Sequence, residues 1–393
     1  MPHRLSVLRT PALLIAIAAA SACGVASAEP FVPADPSVVV ETLRDRPLDS
    51  TDREFRQLRA ALRRNPTALP LALRVTQRAI EIARRDGDPR YLGYAQAALK
   101  PWHGTITAPA SVRLFDAILL QSYHRFDEAL SLLDQVLRDN PDDAQAWLTR
   151  ASVLQVQARY ADAKASCVRL KRLGADVYAD ACLAELDSLS GNAKRALTGL
   201  NQLIGRVASA GAAATPGWLA IIRAEMAERM GNLEQAELDY KAALRAGTDA
   251  YAKAAFADFL LDRGRAAEVI ALLDGDQRAD PLLLRLALAY QAANDPKVSQ
   301  AIAVLAARFA AARLRGDTVH LREEARFTLH LLHQPAEALR LAQQDWAVQK
   351  EPADARVLLE AAQAAGDHGT LQSVRASLRE SGLMDQRLAR FLQ

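Results

Sequence analysis

Residues 117–141 read AILLQSYHRFDEALSLLDQVLRDNP, and residues 151–175, 34 positions further on, read ASVLQVQARYADAKASCVRLKRLGA. In register, Ala117 falls on Ala151, Leu120 on Leu154, Phe126 on Tyr160 and Ala129 on Ala163, with Leu133 on Cys167 and Val136 on Leu170. Trp147 opens the second unit just after Asn140-Pro141-Asp142-Asp143. Coincidences at one fixed offset mark a repeating helical pair rather than an irregular bundle. The residue types supply the reason. Ala at a helix crossing lets two backbones approach, and Leu, Phe and Tyr fill the space beside it. Asp142 or Asp143 can cap the helix that carries Trp147, and Pro141 sits where a helix tolerates its missing N–H.

The frame extends in both directions. Gly191-Asn192 with Ala196, Gly231-Asn232 with Ala236 and Gly264-Arg265 with Val269 each give a turn and, a few residues later, a small or apolar helix site. Ala184, Ala224, Ala257 and Ala287 each stand seven residues before Gly191, Gly231, Gly264 and Asn294. Further on come His333-Gln334-Pro335 with Ala338, then Gly366-Asp367; upstream, Gly87-Asp88-Pro89 reads as another turn. A 34-residue helix–turn–helix with small residues at fixed sites resembles the tetratricopeptide repeat. The fold class expected is all-α, a right-handed α-solenoid of such repeats over residues 51–381, clearest across 110–207, with a C-terminal tail at 382–393. Residues 29–50 hold Pro30, Pro33, Pro36 and Pro47 and are expected to form an extended lead-in.

Composition agrees. The chain has 393 residues, half of them hydrophobic and only 5% aromatic, which favours helix over sheet and excludes intrinsic disorder. Three cysteines exclude a disulfide-dense mini-protein. Residues 1–28 carry His3, Arg4 and Arg9, an apolar run from Leu13 to Ala22, then Ala26-Ser27-Ala28, the order of a cleaved secretory signal. Ala20-Ser21-Ala22-Cys23-Gly24 also resembles a lipoprotein box, so a lipid anchor at Cys23 is the alternative. No later segment has the apolar length to span a bilayer. Loss of Arg4 and Arg9 with the signal leaves 47 Lys and Arg against 46 Asp and Glu. That near-neutrality argues against a nucleic-acid partner.

Catalytic signatures are sparse. There is no phosphate-binding Gly-rich loop ending in Lys-Ser or Lys-Thr and no His-Glu-x-x-His pair, and Val207 breaks the elbow pattern that Ser209 would need. No cofactor is expected, and an enzyme is not. The polar stretch 317–333 holds His320, Glu324, His330 and His333; one helix cannot converge three such ligands, so metal handling is only a further alternative.

The resemblance implies a binding groove along the first helices of the repeats. Its equivalent positions are Gln145, Leu148, Thr149, Ser152 and Gln155 in one unit, and Trp218, Ile221, Ile222, Glu225 and Glu228 in another. With His333 at the turn, His320, Glu323, Glu324, Phe327 and His330 occupy the same positions, although Arg326 then stands where a small residue is usual. The competing reading of this helix is a solvated face with Phe327 buried. Cys167 and Cys182 flank Gly174 at similar height on neighbouring helices, so they are expected either as a disulfide or as two buried thiols. The function expected is a non-catalytic interaction scaffold of the cell envelope, in a Gram-negative periplasm, holding a peptide or protein partner. A lipid-anchored factor for pilus or secretion-complex assembly, an outer-membrane lipoprotein, is the alternative.

Overall fold

The computed structural model describes residues 50–103, 108–210, 216–247, 249–317 and 319–392, with Asp35 and Ser37 besides. The signal 1–28 with Cys23, and nearly all of the 29–50 lead-in, lie outside the described residues.

Helix α1 (Ser50–Arg64) precedes nine helical hairpins among the described residues. They are α2 (Leu69–Asp86) with α3 (Arg90–Leu99), α4 (Ala110–Ser122) with α5 (Phe126–Asp139), and α6 (Ala144–Val156) with α7 (Tyr160–Arg172). Next come α8 (Asp176–Leu189) with α9 (Ala193–Ser209), α10 (Gly217–Arg229) with α11 (Leu233–Ala246), and α12 (Ala250–Leu261) with α13 (Ala266–Leu272). The last three are α14 (Asp280–Ala292) with α15 (Lys297–Leu314), α16 (Leu321–His330) with α17 (Pro335–Val348), and α18 (Pro352–Ala365) with α19 (His368–Ser381). The chain is an all-α solenoid of helix–turn–helix repeats.

One local device shapes every hairpin. A single residue in the left-handed region ends the first helix: Gly87, His124, Ala158, Gly191, Gly231, Gly264, Asn294, His333 and Gly366. In most of these turns the next residue donates its N–H to the carbonyl five positions back, as Arg125 does to Leu120, Arg159 to Leu154, Asn192 to Asp187 and Asp295 to Tyr290. This Schellman bond satisfies a carbonyl that the helix end would leave bare. The turn at His333 is wider, because Gln334 reaches Thr328, six residues back.

Seven residues before these turns stand Ala117, Ala151, Ala184, Ala224, Ala257 and Ala287, all buried. Five residues after them stand Ala129, Ala163, Ala196, Ala236, Val269 and Ala338, also buried. The register read from residues 117–175 therefore runs through the array. It departs from small residues at Ile80, Leu359 and Arg326, and the Arg326 Nη1 donates to Asp258 Oδ1 at 2.7 Å. Asp258 also accepts from Arg285, with Nη2 at 2.6 Å and Nε at 3.1 Å. A charged triad thus fills the crossing of α12, α14 and α16 where alanine serves in most hairpins. The two guanidinium groups hold the Asp258 carboxyl far below the usual range, against a burial effect that alone would raise it.

Successive even-numbered helices touch one another, whereas the odd-numbered helices pack mainly on their even-numbered neighbours. The even helices are therefore the inner, concave layer. The superhelix also touches itself. Lys350 donates its backbone N–H to Val156 at 2.7 Å, Arg356 forks onto Asp262 at 2.6 and 2.7 Å, and Arg387 lies 3.6 Å from Glu228. Gly382 abuts Gly191 so closely that a Cβ on Gly382 would stand 3.2 Å from the Gly191 Cα. Leu189 of α8 joins the C-terminal hydrophobic cluster, and so do Leu388 and Phe391 of a 3-10 helix, Gln386–Phe391. Leu383, Leu388 and Phe391 thus anchor residues 382–392 to the core, closing the end of the last hairpin.

Candidate functional site

The inner wall can be read helix by helix in the alanine frame. One residue after the crossing alanine stand Ser152, Glu185, Glu225 and Asp258; six before it stand Gln145, Tyr178, Trp218 and Tyr251. Residues seven apart share a helix face. Three successive inner helices, α8, α10 and α12, therefore each present an aromatic ring near their start and a carboxylate two turns on.

These side chains meet across helices. Tyr178 and Trp218 stack, with centroids 5.4 Å apart and planes 14° off parallel. Tyr251 donates its hydroxyl to Glu225 Oε1 at 2.5 Å. The three rings stay open to water, at 52% exposure for Tyr178, 38% for Trp218 and 59% for Tyr251. Burial pushes the carboxyls of Glu185 and Glu225 up from their ordinary range, and each is opposed chiefly by Arg229. Glu225 also feels Glu185, and Glu185 feels Glu351 and a hydrogen bond from Gln155. Glu225, then burial of the hydroxyl, then Glu351 drive the Tyr251 phenol upward. Open rings beside half-buried carboxylates line this stretch of the inner layer. Arg229 is itself buried; it donates Nη2 to Ser188 at 3.1 Å and leaves Nε without a partner among the described residues.

The sequence-derived groove residues divide. Trp218 and Glu225 lie on this lane. Gln145 is exposed, its amide on Thr149, while Leu148 is half-buried and Ser152 turns its hydroxyl back to the Leu148 carbonyl. Ile221 is core, buried with Ala224 and Phe256. His320 stands half-buried just before α16. The other three residues of that helix need correction as binding positions. Phe327 is 2% exposed and packs on Phe309 at 5.4 Å; Glu323 and Glu324 are 8% and 5% exposed. Glu324 is paired with Arg313, and Glu323 lies 3.5 Å from Arg322. Phe309 and Arg313 of α15 cover Phe327 and Glu324, whereas Glu323 sits among Arg322, Arg285 and His320. Neither an open groove nor a solvated face describes these carboxylates.

Arg322 organises the neighbouring junction. Its Nη1 lies 3.1 Å from Glu351 and 3.0 Å from Asp354, and Gln349 donates to both Asp345 and Asp354 at 3.1 Å. Burial and mutual repulsion raise this aspartate pair, so that it keeps a proton above the ordinary carboxyl range. His124 faces the same space, and burial lowers it, reinforced by Arg322.

Of the residues considered for a metal, His330 contacts Glu360 at 3.0 Å and Glu324 holds Arg313. Among the described residues no group of three or more His, Cys, Asp or Glu is placed to hold a metal ion. A concavity of about 320 Å³ lies where Arg356, Arg387 and Arg390 meet Glu228, Asp262 and Arg263. Its four arginines face two lining carboxylates, and Arg387 and Arg390 are paired besides with Asp385 and Glu360. Cys167 and Cys182 are joined as a disulfide, with Cα atoms 6.1 Å apart, tying α7 to α8. Among the described residues no helix is long and apolar enough to cross a membrane.

Sequence reasoning missed Tyr178, Glu185, Tyr251 and Asp258. The signal was present: the alanine frame that gave Glu225 and Trp218 gives all four at the same offsets.

No protein-family model matches the chain, and no curated protein matches it. Solved structures similar to it include Rap protein complexed with competence and sporulation factor, at 13% identity and TM-score 0.47, covering 84% of this chain and 93% of that one. The human IFIT1 dimer with m7Gppp-AAAA is similar at 13% identity and TM-score 0.44, covering 86% and 84%. The Cut9–Hcn1 assembly of the APC/C is similar at 13% and 0.42; the match covers 79% of this chain and spans 58% of the other. Nothing about this chain's ligand follows from them.

Proposed function

We propose that this chain is a non-catalytic interaction scaffold that holds a partner protein or peptide against its concave face. One observation carries the reading. Equivalent side chains of three successive inner helices, Tyr178, Trp218 and Tyr251 with Glu185 and Glu225, face a single space and keep their rings in water while the layer behind them is packed. Binding energy in protein interfaces concentrates in a few aromatic or charged anchors, and this lane supplies both kinds. Side chains serving the fold alone have no reason to leave three large rings uncovered in register.

The place of action proposed is the cell envelope, after export directed by residues 1–28. The Cys167–Cys182 bond supports an oxidising address. Sequencing the N-terminus of the mature protein separates the versions: Glu29 marks the free protein, an acylated Cys23 the anchored assembly factor, and retained Met1 overturns export. For the scaffold itself, partners are recovered from envelope extracts with the wild-type chain and with Trp218→Ala. Recovery that falls while the helical spectrum is unchanged supports the concave face; identical recovery moves the binding site elsewhere.

A further inference from the structure

The charge of the lane says which partner chemistry it fits. Glu185, Glu225 and Glu351 converge on it, and Arg229 is the cation that chiefly opposes the first two. Arg322, which pairs with Glu351, is shared with Glu323 and Asp354. Arg387 also acts on Glu225 but is paired with Asp385 and lies 3.6 Å from Glu228, so the remaining balance is negative. No salt bridge within 4 Å satisfies Glu185 or Glu225 among the described residues, and Tyr251 alone donates directly to Glu225. Both carboxyls are driven up by burial, which means that the fold leaves their negative charge incompletely compensated.

Beside these carboxylates stands the Tyr178–Trp218 stack, face to face and open to water. A ring face carries negative potential and attracts a guanidinium or ammonium group. Aromatic faces next to uncompensated carboxylates are complementary to cations, whereas an acidic segment would meet repulsion at Glu185 and Glu225.

We propose that the lane of Tyr178, Trp218, Tyr251, Glu185 and Glu225 receives an extended, arginine- or lysine-bearing segment of a partner protein. Its cationic heads stack on the Tyr178–Trp218 pair and complete the charge of Glu185 and Glu225. This rests on the concave-face reading above and adds the chemistry of the occupant.

The probe is a display library of random linear 12-residue peptides, selected on the purified chain. Retained peptides are expected to be enriched in Arg and Lys over the input. The affinity of the best of them, measured by fluorescence anisotropy, should weaken about tenfold in Glu225→Gln and in Trp218→Ala. Leu238→Ala, at an open position on the outer helix α11, should bind unchanged. Should Glu225→Gln lose its helical spectrum, Tyr178→Ala reads the same lane from an exposed ring. Retained peptides that are acidic or uncharged yet still depend on Trp218 overturn the basic chemistry and leave the concave-face reading intact. Peptides indifferent to all three lane variants, or no retained peptide at all, overturn both.

Discussion

Asp258→Asn tests the one place where the repeat replaces a small residue by charge. Asp258 joins three successive inner helices, holding Arg285 of α14 at 2.6 Å and Arg326 of α16 at 2.7 Å. Each contact is worth roughly 4 kcal/mol of gross attraction at an effective dielectric near 20 and charge centres about 4 Å apart. Most of that offsets the cost of drying three charged groups. Removing the shared anion while both cations stay is what becomes visible, and breaking buried pairs in this way costs about 3–5 kcal/mol. Asp258 is half-buried, so the lower end, about 3 kcal/mol, is expected here. Solenoids lose cooperativity along their length, and a single melting temperature would blur a local effect. The assay is therefore native-state hydrogen exchange, comparing α12 and α16 with α4 and α5. Exchange in the first pair should accelerate strongly and in the second stay unchanged. Arg326→Ala restores the residue type found at the equivalent sites Ala257 and Ala287, so a double-mutant cycle should give a coupling of about 2 kcal/mol. The Asp258 carboxyl lies below its unfolded value, so its contribution is complete above about pH 4 and is lost as pH falls toward the folded value. A cost under about 1 kcal/mol with an additive cycle would refute the triad as the element that sets the crossing.

Three further outcomes are expected. Ala158 turns its hairpin at φ 58°, where the other short turns use glycine, asparagine or histidine, so Ala158→Gly should stabilise that hairpin by about 1 kcal/mol in urea titration. Reduction of Cys167–Cys182 should lower the stability of α7 and α8 by up to about 3 kcal/mol for a loop of this length, without abolishing the helical circular dichroism; two alkylatable thiols in untreated protein would remove the premise. The Asp345–Asp354 pair titrates above the ordinary carboxyl range when folded, so the α17–α18 junction should lose stability as pH rises from about 4 through that raised range. Asp345→Asn, which copies the protonated form, should flatten that slope in hydrogen exchange measured at several pH values.

Much of the fold was legible because the repeat writes its geometry into single residues. Alanine at a crossing and glycine at a left-handed turn are chosen by sterics alone, so Ala151, Ala224, Gly191 and Gly231 mark the register without tertiary information. Trp218 and Glu225 followed from that register. Burial of Phe327 was one of the two readings the sequence allowed, but the burial of Glu323 and Glu324 was not legible, because it depends on Arg285 of α14 and Arg313 of α15, which no residue within α16 announces. The self-contacts of the superhelix, such as Gly382 on Gly191, were equally illegible. They depend on small per-repeat rotations summed over several hairpins, which no local pattern states. Arg326 looked like a fault in the frame. It is instead a substitution that works only with Asp258, 68 residues away.

The central claim is that partners meet the inner wall at α8, α10 and α12. A photo-crosslinking amino acid placed at Tyr178 or Tyr251, and in a control at Leu238 on the outer helix α11, tests it in the living cell; all three positions are exposed, so access to solvent is matched. The account predicts a discrete covalent adduct from positions 178 and 251 that disappears when Trp218→Ala is added, and none from position 238. Adducts from position 238 alone, or adducts from all three positions that ignore Trp218, would contradict it.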